Sequence, residues 1–284
     1  MREGPGWPGP ERGILGPSAA TCAEWTASQM NLELHPVLSR PLGVIGAGRV
    51  GRALSDGLRE AGATVVGPAR RGEVPRGCHA IVLCVPDAEI ERAAATVLGS
   101  APFVGHTSGA TPLSALAPAG AAAFGLHPLQ TFAPPPARTP LGGVGAAVAG
   151  ATPQALEVAV SVARLLGLRP FEIDDDARAA YHASASIASN FLVTVEAAAE
   201  HVAGAAGLER GEARALLAPL VRGTVENWVA LGPERALTGP VARGDEATVD
   251  TQRDAVEDRA PQLVPLFDEL VRATRALAAA EVAG

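Results

Sequence analysis

The chain contains no lysine: all 23 of its basic residues are arginine. Schiff-base chemistry needs a primary amine on the protein, so pyridoxal-phosphate enzymes and lysine general acids are excluded. Cysteine is scarce as well. Cys22, Cys78 and Cys84 are odd in number and show neither a C-x-x-C pair nor metal-ligand spacing, which points to a reducing compartment and to no metal. No apolar run is long and uninterrupted enough to span a bilayer, because the alanine-rich stretches are broken by charge, Gly or Pro. With 30 acidic residues against 23 basic ones the net charge is −7, and no basic stripe offers a track for nucleic acid. The composition reads as a cytoplasmic protein of 284 residues, long enough to bury a sizeable core in one large or two medium domains.

The strongest positive signal is the run from Leu42 to Gly51, in which a short apolar stretch breaks into G-x-G-x-x-G (Gly46, Ala47, Gly48, Arg49, Val50, Gly51) and passes into a helical pattern with Val50, Leu54 and Leu58. Each glycine has its own task in a dinucleotide-binding turn. Gly46 lets the chain leave the strand sharply, Gly48 lets bare backbone approach a pyrophosphate, and Gly51 lets the helix pack close to the strand. The free N–H groups of the helix N-terminus would then face the phosphates. At the end of the next strand an NAD site carries a carboxylate for the ribose hydroxyls. Here Val66, Gly67 and Pro68 are followed by Arg70 and Arg71, a pattern that fits the 2′-phosphate of NADP.

Residues 1–29 are rich in Gly, Pro and small polar residues and read as a disordered extension without a signal peptide, with Met30 an alternative start. Residues 30–174 read as the dinucleotide-binding domain. Its strands are expected at Leu42–Ile45, Thr64–Val66, Ala80–Val85, Pro102–Gly105, Ala121–Leu126, Gly145–Val148 and Arg169–Ile173, with a helix capped by Thr152 and ended by Gly167. Such alternation predicts a doubly wound parallel sheet. Residues 175–284 read as an all-helical domain, N-capped by Asp174–Asp176, with helices near Asp176–Ala203, Glu209–Leu231 and Pro261–Glu281.

In a parallel sheet ligands bind outside the carboxyl ends of the strands. Three such ends carry suggestive residues: Cys84-Val85-Pro86-Asp87, the stretch His106-Thr107-Ser108-Gly109-Ala110, and His127-Pro128-Leu129-Gln130. Cys84, Val85, Pro86, His106 and Ser108 are therefore expected along the dinucleotide. On the first long helix beyond the sheet, His182, Ser186 and Asn190 fall at i, i+4 and i+8 and form one polar stripe. Small-residue helix packing is the alternative reading of that stripe. Arg243 and Asp245, in a Gly- and Pro-containing loop, offer an anion clamp with its own counter-charge, or a plain surface turn.

Taken together, Gly46–Gly51, His106–Ala110, Gly125-Leu126-His127-Pro128-Leu129-Gln130-Thr131-Phe132, Tyr181-His182-Ala183 with Ser189-Asn190, and Thr238-Gly239-Pro240 with Arg243-Gly244-Asp245 resemble the Rossmann-like proteins that carry the C-terminal domain of unknown function 2520. The resemblance runs from about Pro41 to the C-terminus. It implies NADP as cofactor, an N-terminal Rossmann domain, a helical domain similar to that of 6-phosphogluconate dehydrogenase, and a homodimer. More distantly the layout is similar to ketopantoate reductase and pyrroline-5-carboxylate reductase. In ketopantoate reductases the first helix of the second domain carries Lys, Asn and Asn at this spacing. Here His182 and Ser186 replace the first two and Asn190 keeps the third, which argues against ketopantoate as substrate.

The reading that follows is an NADP-dependent reductase of the carbonyl or imine of a small anionic molecule held in a cleft between the domains. His182 is the expected acid, because histidine titrates close to cellular pH. His127 is its orienter or alternative, Ser186 and Asn190 bond the substrate, and Arg243 anchors its anionic group. Two rivals stand beside it: a non-catalytic NADP-binding sensor or scaffold, and an oxidation resembling that of prephenate dehydrogenase, suggested by His127-Pro128.

Overall fold

The computed structural model describes residues 40–132, 134 and 139–282, and the expected N-terminal extension lies outside them. Seven strands form one sheet in the order β2-β1-β3-β4-β5-β6-β7. They are β1 (Leu42–Ile45), β2 (Val65–Ala69), β3 (Ala80–Leu83), β4 (Phe103–His106), β5 (Ala122–Pro128), β6 (Gly145–Gly150) and β7 (Arg169–Glu172). The first five run parallel, with Leu42 opposite both Val65 and Ala80. The expected doubly wound sheet is present and mostly parallel, with one departure at the far edge: β6 runs antiparallel to β5, and β7 pairs parallel to β6. Direction follows from the connection. A parallel neighbour needs a crossover, usually a helix, and among the described residues between Pro128 and Gly145 no helix occurs.

Helix α1 (Arg49–Glu60) follows β1, α2 (Ile90–Thr96) follows β3 and α3 (Pro153–Leu165) joins β6 to β7. Alternating strand residues feed two cores. Leu42, Val44 and Val82 pack with Leu54 and Leu58 of α1 and Val158 and Val162 of α3, while Ile81 and Leu83 pack with Ile90 and Ala94 of α2 and Leu116. α1 buries Gly51, Leu54, Ser55 and Leu58, the i, i+3, i+4, i+7 stripe of a one-sided helix. α3 opens as the sequence suggests, with Thr152 accepting a hydrogen bond from the Ala155 N–H and Pro153 in the first turn.

The chain divides into two units, the first ending at Asn190 and the second resuming at Phe191. The first includes α4 (Arg178–Ser186), preceded by a 3₁₀ turn at Asp175–Ala177 and followed by a π turn over Ile187–Phe191. Asp174–Asp176 do not cap it. The side chain of Asp175 instead accepts from the Leu113 N–H at 3.1 Å and pairs with Arg178 at 2.6 Å. The second unit holds α5 (Leu192–Ala205), α6 (Arg210–Leu231), the short α7 (Pro233–Ala236), α8 (Glu246–Arg259) and α9 (Val264–Val282). α8 is absent from the sequence expectation. Asp245 caps it, accepting from the Thr248 N–H, but only Val249 and Val256 of its residues are buried, so its apolar periodicity is faint. No described helix is long and apolar enough to cross a membrane.

Candidate functional site

Strand order reverses between β1 and β3, which is where a doubly wound sheet opens a crevice at its carboxyl edge. The three glycines of the turn behave differently there. Gly46 has φ +107°, and a Cβ on it would lie 2.1 Å from the Cys84 carbonyl oxygen. A Cβ on Gly51 would lie 1.8 Å from the Gly46 carbonyl oxygen. Packing of the chain on itself therefore demands both. A Cβ on Gly48 would meet nothing within 4 Å, so the fold leaves that backbone facing open space.

The start of α1 is correspondingly bare. Its N-cap is Gly48, no side chain caps it, and no acidic residue occupies its first turn. The leading N–H groups and the positive end of the helix dipole are thus available to an anion. A cleft of about 280 Å3 lies beside this turn, lined by Gly46, Ala47, Gly48, Arg70, Arg71, Cys84, Val85, Pro86, Glu89 and Arg92 among others. A second, of about 420 Å3, is lined by Gly48, Arg49, Val50, Cys84, Val85, Pro86, Thr107 and Phe132. Arg49 donates to the Phe132 carbonyl at 3.2 Å. These surfaces fit a dinucleotide: a bare helix terminus for its pyrophosphate and arginines where β2 ends. Arg92 is the lining arginine that the sequence reading missed, since nothing local to α2 links it to β2. Burial pushes the Cys84 thiol up to about 12, with the Thr107 contact opposing, so it is no nucleophile.

His106 and Ser108 line neither cleft. His106 is fully buried, and its Nδ1 accepts from the Ser108 N–H at 3.2 Å. The Ser108 hydroxyl lies 2.8 Å from Asp87 Oδ2 and accepts from the Thr111 N–H at 2.9 Å. Both residues hold the loop after β4 in shape and tie it to the end of β3.

The histidines behave differently. His127, the penultimate residue of β5 at its carboxyl end, places Nδ1 2.7 Å from the hydroxyl of Tyr181 on α4. The His127 and His182 rings lie 5.8 Å apart, edge to face. Gly109 fits between strand and helix because it lacks a side chain: a Cβ there would stand 2.7 Å from His182 Nδ1 and 2.9 Å from His127 Cε1. His182 Nδ1 is buried without a hydrogen-bond partner. Tyr181 is the only tyrosine in the chain, and the sequence reading quoted it without giving it a role.

Burial, then the neighbouring His182 and Arg178, depress the His127 imidazole to about 4, against the pull of Asp87. His106 falls to about 4 through burial and Arg178, opposed by a backbone contact to Pro112 and by Asp87 and Asp175. Burial raises the Tyr181 phenol to about 12, with Arg178 opposing. At neutral pH the His127–Tyr181 pair is therefore uncharged, and one proton lies between its two heavy atoms. Arg178 is the other residue missed. It is 2% exposed, bonded to Asp175 and reaching the Ser108 carbonyl at 3.5 Å, and it sits against Gly125 of β5.

Ser186 closes α4 four residues after His182, but the α-helical stripe stops there. Asn190 lies in the π turn, whose i→i+5 bonding widens the helix and offsets it from the expected face, and it is exposed. Arg243 is an exposed residue of the turn leading into α8, in the second unit. The residues that meet, His127, Tyr181 and His182, all belong to the first unit.

Residues 144–274 match the family model described as a domain of unknown function, DUF2520. Comparison with curated proteins finds no match. Among solved structures, a Bacteroides fragilis protein named as a candidate NADP oxidoreductase aligns with a TM-score of 0.71 at 19% identity, over 84% of this chain and 99% of its own. A Thermotoga maritima protein aligns with a TM-score of 0.67 at 26% identity over the same shares. Plasmodium falciparum pyrroline carboxylate reductase, solved with NADP bound, aligns with a TM-score of 0.54 at 15% identity, again over 84% and 99%. The fold is thus Rossmann-like. The family match begins at β6, so it takes in the last two strands as well as the helices. Over residues 144–274 the chain is similar to the DUF2520 proteins, and its first five strands precede that match in a Rossmann-like arrangement.

Proposed function

We propose that the chain is an NADP-dependent oxidoreductase that reduces the carbonyl or imine of a small anionic molecule. The single observation that carries a catalytic reading is the meeting of His127, Tyr181 and His182 at the strand ends, with His182 Nδ1 buried and unpartnered. A buried polar nitrogen without a partner is costly, and a bound substrate or an ordered water is the kind of partner it lacks.

Gly46–Gly51 would hold the pyrophosphate, and Arg70 and Arg71 the 2′-phosphate. When bound, a reduced nicotinamide supplies hydride. The protein's part is then to deliver one proton to the developing alkoxide or amine, and His182 is assigned that step. His127, held neutral and bonded to Tyr181, would fix the ring beside it, and Ser186, on the same helix, would contact the substrate. In the second unit, α6 leaves Leu216, Leu220, Trp228 and Val229 between 55% and 72% exposed, which supports a homodimer through that unit.

The test is NADPH consumption against a panel of keto acids and cyclic imines. With a substrate found, His182→Asn is expected to keep NADPH affinity and lose about 10²–10⁴ in turnover. Unchanged turnover removes His182 from the chemistry. Binding of NADPH with no turnover on any panel member favours the sensor reading.

A further inference from the structure

We propose that Arg92 completes a three-arginine clamp for the 2′-phosphate and that Glu89 is the internal counter-ion which that phosphate displaces. The proposal rests on the dinucleotide reading above and assigns its specificity. Arg70 and Arg71 follow β2, whereas Glu89 and Arg92 come from α2 and the turn before it, and all four line the same cleft. Glu89 Oε2 stands 3.5 Å from Arg71 and pairs with Arg92. One carboxylate thus joins two guanidiniums that the sequence places far apart.

The pairing is not needed for folding. Arg71 and Arg92 side chains are 82% and 61% exposed and Glu89 is 32% exposed, and exposed ion pairs contribute little to stability. Their position does matter to an anion entering the cleft. A phosphate monoester carries up to two charges and three acceptor oxygens, so it satisfies two or three guanidinium forks better than a single carboxylate does. A 2′-hydroxyl carries no charge and cannot displace Glu89. Selection between NADPH and NADH is therefore an exchange, one carboxylate leaving as one phosphate arrives, and Glu89 sets the threshold that a ligand must exceed.

The full chain is titrated calorimetrically with NADPH and NADH, as wild type, Glu89→Gln and Arg92→Ala. Removing the competing charge in Glu89→Gln is expected to tighten NADPH about two- to fivefold, the scale of an exposed ion pair, and to leave NADH unmoved. Arg92→Ala is expected to weaken NADPH about tenfold or more, again without NADH following. Equal shifts for both dinucleotides, or no shift in either variant, overturn the clamp while the dinucleotide reading stands. A wild-type chain that binds neither dinucleotide overturns that reading and the clamp with it.

Discussion

Gly48 and Gly51 lie three residues apart in one turn, yet substitution should separate stability from binding between them. In Gly51→Ala the new Cβ would be placed 1.8 Å from the Gly46 carbonyl oxygen and 3.2 Å from Cys84 Cβ, against an ordinary contact of at least 3.4 Å. The obstacle is backbone, so it cannot rotate away. Overpacking costs about 1–3 kcal/mol, and an immovable carbonyl puts this case at the upper end. At roughly 2–4 °C per kcal/mol for a chain of this size, the melting temperature should fall by about 6–12 °C. Gly48→Val adds a larger side chain at a position where a Cβ meets nothing within 4 Å and φ is −73°. Its cost to the fold is a poorer N-cap, about 1 kcal/mol, hence about 2–4 °C. NADPH affinity should nevertheless fall at least tenfold, because the branched side chain occupies the space that the pyrophosphate needs. Thermal unfolding and calorimetry on both variants check this. A Gly51→Ala chain as stable as wild type would refute the packing argument, and a folded Gly48→Val chain that binds NADPH normally would refute the site.

Three further outcomes are expected. His106 and His127, both depressed to about 4, should show no NMR titration near pH 6.5; a midpoint there for either would contradict its burial. Because the unfolded chain binds those protons first, their contribution to stability is fully present above about pH 6.5 and is lost as pH falls toward 4, so the melting temperature should drop across that window; a flat profile would show that the two rings are not buried as neutral groups. Tyr181→Phe removes the partner of His127 Nδ1 at 2.7 Å and should cost about 1–3 kcal/mol, read as a fall of several degrees in the melting temperature, with an unchanged value showing that the bond is not made in solution.

Much of the first unit is legible residue by residue. β1, the Thr152 cap and the glycine turn follow from local rules that need no distant partner. What is not local is not legible. The reversed direction of β6 goes with a connection in which none of the described residues is helical, a signal easily passed over when strands and helices otherwise alternate. Asp174–Asp176 look like a helix cap, and only the fold shows that Asp175 serves Arg178 and the Leu113 N–H instead. Arg178 itself gives no sign of being buried, because its acceptors include a carbonyl 70 residues away. His127 and His182 were readable from a strand end and a helix stripe. The Tyr181 bond that orients His127 spans 54 residues, and Asn190 was lost from the stripe because an i, i+4 count assumes an α-helix where the chain makes a π turn.

The two ends of the cleft beside Gly48 differ in how much order they already possess. At the glycine turn, helix start and strand end are locked by backbone contacts, so an anion arriving there finds its donors in place. At the other end Arg71 and Arg92 are mostly solvent-exposed, and immobilising two such side chains costs about 1–3 kcal/mol of entropy. A dinucleotide should therefore dock through its pyrophosphate first and acquire its 2′-phosphate contacts second, with the discriminating step read in the dissociation rate. Raising the temperature should then erode the preference for NADPH faster than it erodes binding itself.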